Sequence, residues 1–302
     1  MPGHHPVFSQ FKSFHGEVPA GYGVDFLGTK TRAQFVQGLE TWCGLKETLY
    51  PDPDEEYFEW IDLLESVVAA KGSYTMIDLG AGYGRWAVRA AYAMKQYNGH
   101  LPCRLIAVEA EPVVFKWMGL HFNDNGVDTK RHSLIHRAIS EDPGKVLFYI
   151  GGPRGGPFDL SPDTWYGQRL TKDYDVASEF KYDGKYSGFR VRCHKSGWRS
   201  IKLRSVSLGS LLKDLERVDL IHMDMEGQEL PSIRLNIEAL NAKVKRLNIG
   251  THGKEIESEL RQLLSAHRWQ CLADYSLFST SETPWGTIYF ENGVQSWVNS
   301  RF

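Results

Sequence analysis

The chain of 302 residues is 42% hydrophobic and 24% charged, enough apolar side chain to bury the core of one large domain with embellishments. Its formal charge of −2 and pI near 6.6 give no global basic field for nucleic acid or an anionic membrane, and no apolar run reaches the length of a membrane span. Cys43, Cys103, Cys193 and Cys271 form no CxxC pair and Met1-Pro-Gly-His-His-Pro6 lacks the order of a signal peptide, so a soluble, cytoplasmic protein without disulfide framework or zinc knuckle is expected.

Residues 1–50 are expected to form a helical cap, because Phe35, Leu39 and Trp42 share one face of a helix over 32–42. Residues 51–302 follow as an α/β domain. A helix over 52–71 opens on the acids Asp52, Asp54, Glu55 and Glu56, buries Tyr57, Ile61, Leu64 and Val68, and ends before Gly72. An apolar strand from Thr75 leads into a glycine turn and a helix over 85–97. A strand over 104–109 and a helix over 113–123, closed by Asn125-Gly126, complete a βαβ unit. Strands over 133–139 and 145–150 flank the Asp142-Pro-Gly144 turn. Residues 151–205 are a long insertion with nine aromatics and eight glycines, expected to be a lid or pocket wall at the ligand edge of the sheet. A hairpin appendage or a dimer contact is the alternative, and 188–193 reads as a strand. Strands over 218–225, 244–250, 271–275 and 287–290, with helices over 230–240 and 255–267, finish the chain. This alternation suits a doubly wound, mostly parallel seven-stranded sheet with an antiparallel pair at the end.

The segment Asp78-Leu-Gly80-Ala-Gly82-Tyr-Gly84 carries the strongest binding signal. A buried strand ending in an acid, then a Cβ-poor turn, then a helix start is where open α/β sheets take nucleotide-like ligands. A dinucleotide fingerprint has its third glycine at the sixth position; here that position is Arg85, and the third glycine comes one residue early. The acid followed by GxGxG resembles motif I of the class I S-adenosylmethionine (SAM)-dependent methyltransferases. A dinucleotide site with a displaced glycine and a turn with no ligand are the alternatives. Glu109, ending the second strand, is placed to grip both ribose hydroxyls of an adenosine, while Glu111 reads as the cap of the next helix, with Pro112 at its start. The cofactor contacts expected are Asp78, Gly80, Ala81, Gly82, Tyr83, Gly84, Glu109, Ala110 and Ala138.

The chemical constellation is His222-Met-Asp224-Met-Glu226-Gly227-Gln-Glu229. In an extended strand 222, 224 and 226 share one side, and His252, ending the neighbouring strand, reaches the same rim. Asp224, Glu226 and His252 are the expected catalytic residues: His252 as general base, since an imidazole titrates near neutrality, and Asp224 orienting it, holding the acceptor hydroxyl or acting as the base itself. His222 is expected to be a packing histidine. Mg²⁺ on the same three side chains is chemically reasonable, but the acids equally suit the next helix N-terminus, and no metal is assigned.

At this point the chain resembles the FkbM family of SAM-dependent methyltransferases, over roughly residues 55–275. The resemblance rests on the Asp78–Gly84 loop, on Glu109 with Asn123-Asp-Asn125, and on Asp224-x-Glu226-Gly227-x-Glu229; it departs at Gly82, where the family commonly has Asn, and at Gly209, where it has Asp. It implies SAM as cofactor and O-methylation of a small-molecule or glycan acceptor; the near-neutral charge separately leads to the expectation of no nucleic-acid or membrane partner. Three other classes compete. A base-amine methyltransferase of nucleic acid would carry an Asn/Asp-Pro-Pro-Tyr-type element where this strand ends Asp-Met-Glu-Gly; an oxidoreductase would need the displaced glycine; a silent SAM-binding module would keep the loop without turnover. The sequence does not set the oligomeric state.

Overall fold

The computed structural model describes residues 3–141, 143–153, 169–171 and 173–302. The N-terminal segment is not the expected α-helical cap, its helical content among the described residues being the short 3-10 turns Pro6–Gln10 and Ala33–Phe35. It forms a three-stranded antiparallel sheet, β1 (His15–Val24), β2 (Lys30–Arg32) and β3 (Trp42–Glu47), in the order β2-β1-β3. The expected 32–42 helix fails because Gly38, inside it, takes φ +71° and breaks the helical register. Phe35 is nonetheless buried as its apolar spacing suggests, stacking on Trp117 at 5.3 Å and packing on Tyr83. This small sheet is fastened by ion pairs from Arg32 to Asp124 and from Arg89 to Asp25.

The helix α1 (Tyr57–Val68) starts five residues later than expected, with 52–56 as its turn-like approach. Next come β4 (Tyr74–Leu79), α2 (Arg85–Asn98), β5 (Cys103–Glu109), α3 (Pro112–Asp124) and β6 (Ser133–His136). The single strand expected over 133–139 breaks at Arg137: β6 pairs with β5, whereas β7 (Ala138–Ile139) leaves for a second sheet. That second sheet joins β7 to β8 (Lys145–Gly151), β9 (Phe180–Tyr186), β10 (Phe189–His194) and β11 (Arg199–Val206), so the described part of the insertion is a β-layer beside the core; the short helix α4 (Asp173–Val176) precedes β9. The stretch 154–168, part of the expected lid, lies outside the described residues.

The core resumes with α5 (Leu208–Leu212), β12 (Leu220–Met223), α6 (Glu229–Lys243), β13 (Arg246–Thr251), α7 (Lys254–Ala266) and β14 (Trp269–Tyr275), then the hairpin β15 (Ser279–Thr283) and β16 (Gly286–Phe290), then β17 (Gly293–Asn299). The central sheet runs β14-β17-β13-β12-β4-β5-β6, with β17 the one antiparallel member among the described strands. The architecture is thus a doubly wound, Rossmann-like α/β sheet. Its seventh strand is 293–299 rather than the expected 287–290, which pairs in the β15–β16 hairpin.

Alternation along β4 explains the two layers: Met76 faces one side, with Tyr57, Leu64 and Phe122, and Ile77 and Leu79 face the other, with Leu230, Ile233 and Leu260. Asp62 of α1 is also buried, and bonds to Arg246, Asn248 and Ser296, tying that helix to β13 and β17. No helix among the described residues is long and apolar enough to cross a membrane.

His121 of α3 is fully buried against Tyr83 and Phe35, with ring centroids at 5.1 and 6.2 Å. Burial, reinforced by the Arg89 charge, pushes its pKa down to about 3 from 6.5. The unfolded chain therefore binds the proton first, and stability falls as pH drops through that interval, by up to about 1.4 kcal/mol per pH unit from this group. His121→Gln is expected to flatten the decline of urea midpoints between pH 6.5 and 4; an unchanged difference between pH 7 and 4.5 in the variant would show that His121 is not the group responsible.

A candidate active site at the carboxyl edge of the sheet

β4 and β12 are parallel neighbours, with Asp78 in register with His222. Helices leave the two strands on opposite sides, so their carboxyl ends open the crevice in which such sheets bind ligands. The turn after β4 is pressed against the loop after β12: Gly80 has φ +74°, and a Cβ built on it would overlap the Asp224 carbonyl. The N–H groups of Gly80 and Ala81 both donate to the Val108 carbonyl, at 3.1 and 3.0 Å, which ties the turn to β5. Gly82 N–H donates to Glu109 Oε2 at 2.8 Å, and Glu111 N–H to Oε1 at 2.6 Å. Burial pushes the Glu109 carboxyl up to about 8, against the pull of these backbone donors. Glu111 caps α3 as expected, accepting from Val114 N–H.

A cleft of about 920 Å³, its open mouth included, lies over this edge. Gly80, Ala81, Gly82, Tyr83, Glu109, Ala110, Ala138, Asp224 and Glu226 line it, so most of the expected residues converge. Three do not reach the wall. Gly84 (φ +81°) lets α2 pack against Met118 and Phe122, where a Cβ would sit 2.8 and 2.9 Å from their side chains. Asp78 is fully buried behind His222, whose Nδ1 lies 2.9 Å from Asp78 Oδ1. His252 stands behind Asp224 and Glu226 with 9% of its side chain exposed.

His222, expected to be a packing or structural histidine, is buried and bonded to Asp78, and it also lines the cleft. Burial lowers its proton affinity, but Asp78 and Glu59 more than compensate and push it up to about 10, so it is a buried imidazolium. Its same-side alternation with Asp224 was the available signal. Arg85, Trp86, Arg137, Phe148 and Leu170 also line the cleft, Phe148 from β8 and Leu170 from within the insertion, where it bridges to Phe148. No motif marks them; they arrive through the second sheet and the α2 start.

His252 is surrounded by carboxylates. Its Nδ1 is 3.1 Å from Glu229 Oε1, and its Nε2 is 3.2 Å from Asp224 Oδ1 and 3.7 Å from Glu226 Oε1. Despite burial, Asp224 and Glu229 push its pKa up to about 11. Set back from the wall, with its proton affinity raised by these acids, His252 is less suited to take an acceptor's proton than Asp224, which faces the cleft. Asp224 is 50% exposed toward the cleft, and contact with His252 holds its carboxyl below the usual range although partial desolvation opposes this. Glu229 is fully buried and accepts from Met225 N–H at 2.7 Å and Gly227 N–H at 2.9 Å. It holds the loop that puts Glu226 at φ +54°, a conformation costing a non-glycine residue roughly 1–3 kcal/mol.

Beside the cleft, Arg137 continues into a shallower depression lined by Lys145, Lys202, Arg204 and Phe189. Lys145 is the direct cross-strand partner of Arg204, a like-charge pair that costs stability unless an anion is held. None of Lys145, Lys202 and Arg204 has a carboxylate within ion-pair distance among the described residues. The insertion over 151–205 carries eleven Lys and Arg against six Asp and Glu, a local excess that the near-neutral chain total conceals.

No family model matches the chain. A curated protein of Jannaschia sp. (strain CCS1), described as "Putative methyltransferase", is 25% identical over 277 residues, covering 90% of each chain. Among solved structures, a precorrin-6y C5,15-methyltransferase from Geobacter metallireducens GS-15 is similar with TM-score 0.42 and 11% identity, over 80% of this chain and 87% of that one. Methyltransferase FkbM from Methylobacillus flagellatus KT gives TM-score 0.43 and 14% identity, over 76% of this chain and 45% of that one.

Proposed function

We propose that the chain is a SAM-dependent methyltransferase of FkbM type that methylates a hydroxyl group. One observation carries this reading: the Gly80 turn, too tight for any Cβ, lies in one cleft with the buried acid Glu109 on the next strand and the exposed acid Asp224 on the other side. The curated relative's description agrees with it. The residues fit the cofactor. Glu109 would hold the ribose hydroxyls, the 80–83 backbone would lie along the nucleoside, and the cations His222 and Arg85 suit the carboxylate of the amino-acid tail. Bound there, SAM supplies a methyl group on a positively charged sulfur. Asp224, ionised at neutral pH and facing the cleft, accepts a hydrogen bond from the acceptor hydroxyl and takes its proton. Ala110, Ala138, Phe148 and Leu170 keep the wall apolar and exclude water.

The acceptor class expected is a small molecule or glycan. The Arg137–Lys145–Lys202–Arg204 strip favours a second form of the same reading, in which the acceptor carries a phosphate or another anionic group. Calorimetry should show SAM binding that Glu109→Ala weakens by about 1–3 kcal/mol, roughly 5- to 150-fold. Label transfer from methyl-labelled SAM to hydroxylated sugars, their phosphates and an RNA oligonucleotide then assigns the acceptor. NAD binding without SAM binding would overturn the reading, and transfer to RNA alone would replace the acceptor class.

A further inference from the structure

The arrangement behind the cleft wall is more specific than a general-base site requires. Asp224 Oδ1, Glu226 Oε1 and His252 Nε2 converge, with one ligand atom from each residue within 4.8 Å of the others. The imidazole is nine-tenths buried, and its Nε2 has no hydrogen-bond partner, although it points at both carboxylates from 3.2 and 3.7 Å. Two ligands at right angles on an ion about 2.1 Å from each lie roughly 3.0 Å apart, so small side-chain movements would close the set. The other ring nitrogen is already engaged by the fully buried Glu229, which also accepts from two backbone amides of the loop. A carboxylate behind a histidine fixes the tautomer and aims the free nitrogen, as at many metal-ligating histidines. Without an ion, three carboxylates crowd one imidazole.

We propose that Asp224, Glu226 and His252 bind one divalent cation of the Mg²⁺/Mn²⁺ class at the cleft rim, with Glu229 as the positioning residue. The two hard carboxylates favour Mg²⁺ or Mn²⁺, and the imidazole weights the site toward Mn²⁺ or another transition ion. The ion takes the place of the Nε2 proton and leaves positions open for an acceptor hydroxyl, whose proton it makes easier to lose. That proton passes to the Asp224 oxygen not engaged by the ion, the acceptor oxygen forms the new bond to the methyl carbon, and the sulfur keeps the electron pair of the bond that breaks. The inference rests on the methyltransferase reading for its catalytic role but not for binding of the ion.

Protein dialysed against EDTA is titrated with Mn²⁺ and followed by the loss of free-ion electron paramagnetic resonance signal. One ion per chain is expected, displaced by excess Mg²⁺. E226Q and H252Q should weaken it by 100-fold or more, and E229Q by about 10–100-fold, with SAM affinity in EDTA unchanged. Turnover should vanish in EDTA and return with Mg²⁺ or Mn²⁺. No stoichiometric binding by wild-type protein, or binding indifferent to all three variants, overturns the site. Binding with full activity in EDTA overturns its catalytic role. Failure to bind SAM, with Mn²⁺ binding intact, strikes at the methyltransferase reading and leaves the cation site standing.

Discussion

Gly80→Ala is expected to abolish SAM binding and to destabilise the fold by about 2–5 kcal/mol. A left-handed alanine costs roughly 1–2 kcal/mol, and forcing a methyl group against backbone adds about 1–3 kcal/mol. The added Cβ would meet the Asp224 carbonyl, which belongs to the loop carrying the reactive acids, and neither main chain can step aside like a flexible side chain. The damage should therefore reach both halves of the site. Urea unfolding and calorimetry on the same preparation measure the two effects. Gly227→Ala is the control: that residue also has a positive φ (+104°), but no atom lies within 4 Å of its would-be Cβ, so only the conformational cost applies. Equal losses in both variants would show that the close approach at Gly80 has no part.

Asp224→Asn should lower turnover by about 10²–10⁴-fold with SAM affinity near wild type, and the unfolding midpoint should fall because His252 loses a charged partner. The side chain is half exposed and its one close partner is His252, so the amide keeps the shape and is accommodated in the fold. It removes the charge that faces the acceptor. Near-wild-type turnover would move the proton acceptor elsewhere or point to an acceptor that needs none, such as an amine.

The parallel core was legible because strands buried on both faces are written as apolar runs: 75–79, 104–109 and 218–223 announce themselves. Strand β17 does not, because its buried positions include Gln295, Ser296 and Asn299. Their partners, among them Asp62, Asp274 and the carbonyl of Val244, are remote in sequence, so nothing local discloses that these polar groups are satisfied. The N-terminal sheet was missed for the opposite reason, since 35, 39 and 42 imitate a helical face while Gly38 forbids the helix. At the site, Asp224, Glu226 and His252 do lie together, but not by strand alternation: the strand expected over 218–225 ends at Met223, and the two acids sit in the loop after it, Glu226 at φ +54°. Nor did alternation reveal that the histidine would be enclosed by three acids, since Glu229 reaches Nδ1 from the first turn of α6. Asp78 shows the same limit: position next to a glycine loop is readable, but whether a carboxylate faces ligand or neighbour depends on the strand beside it.

The placement of β17 also has a kinetic side. It lies between β13 and β14, so the two-strand flank of the central sheet beyond β13 closes only after residues 293–299 have been made. A nascent chain that has emerged through β14 holds both of that strand's neighbours apart, with two open edges where the finished protein has none. Until the late strand inserts, β13 and β14 are joined only through α7 and present unpaired backbone to any extended segment nearby. Shortening or fusing onto the region after 292 would therefore open the sheet from within instead of trimming its rim. Such changes should register in yield on expression as well as in equilibrium stability, since β17 is buried and paired on both sides.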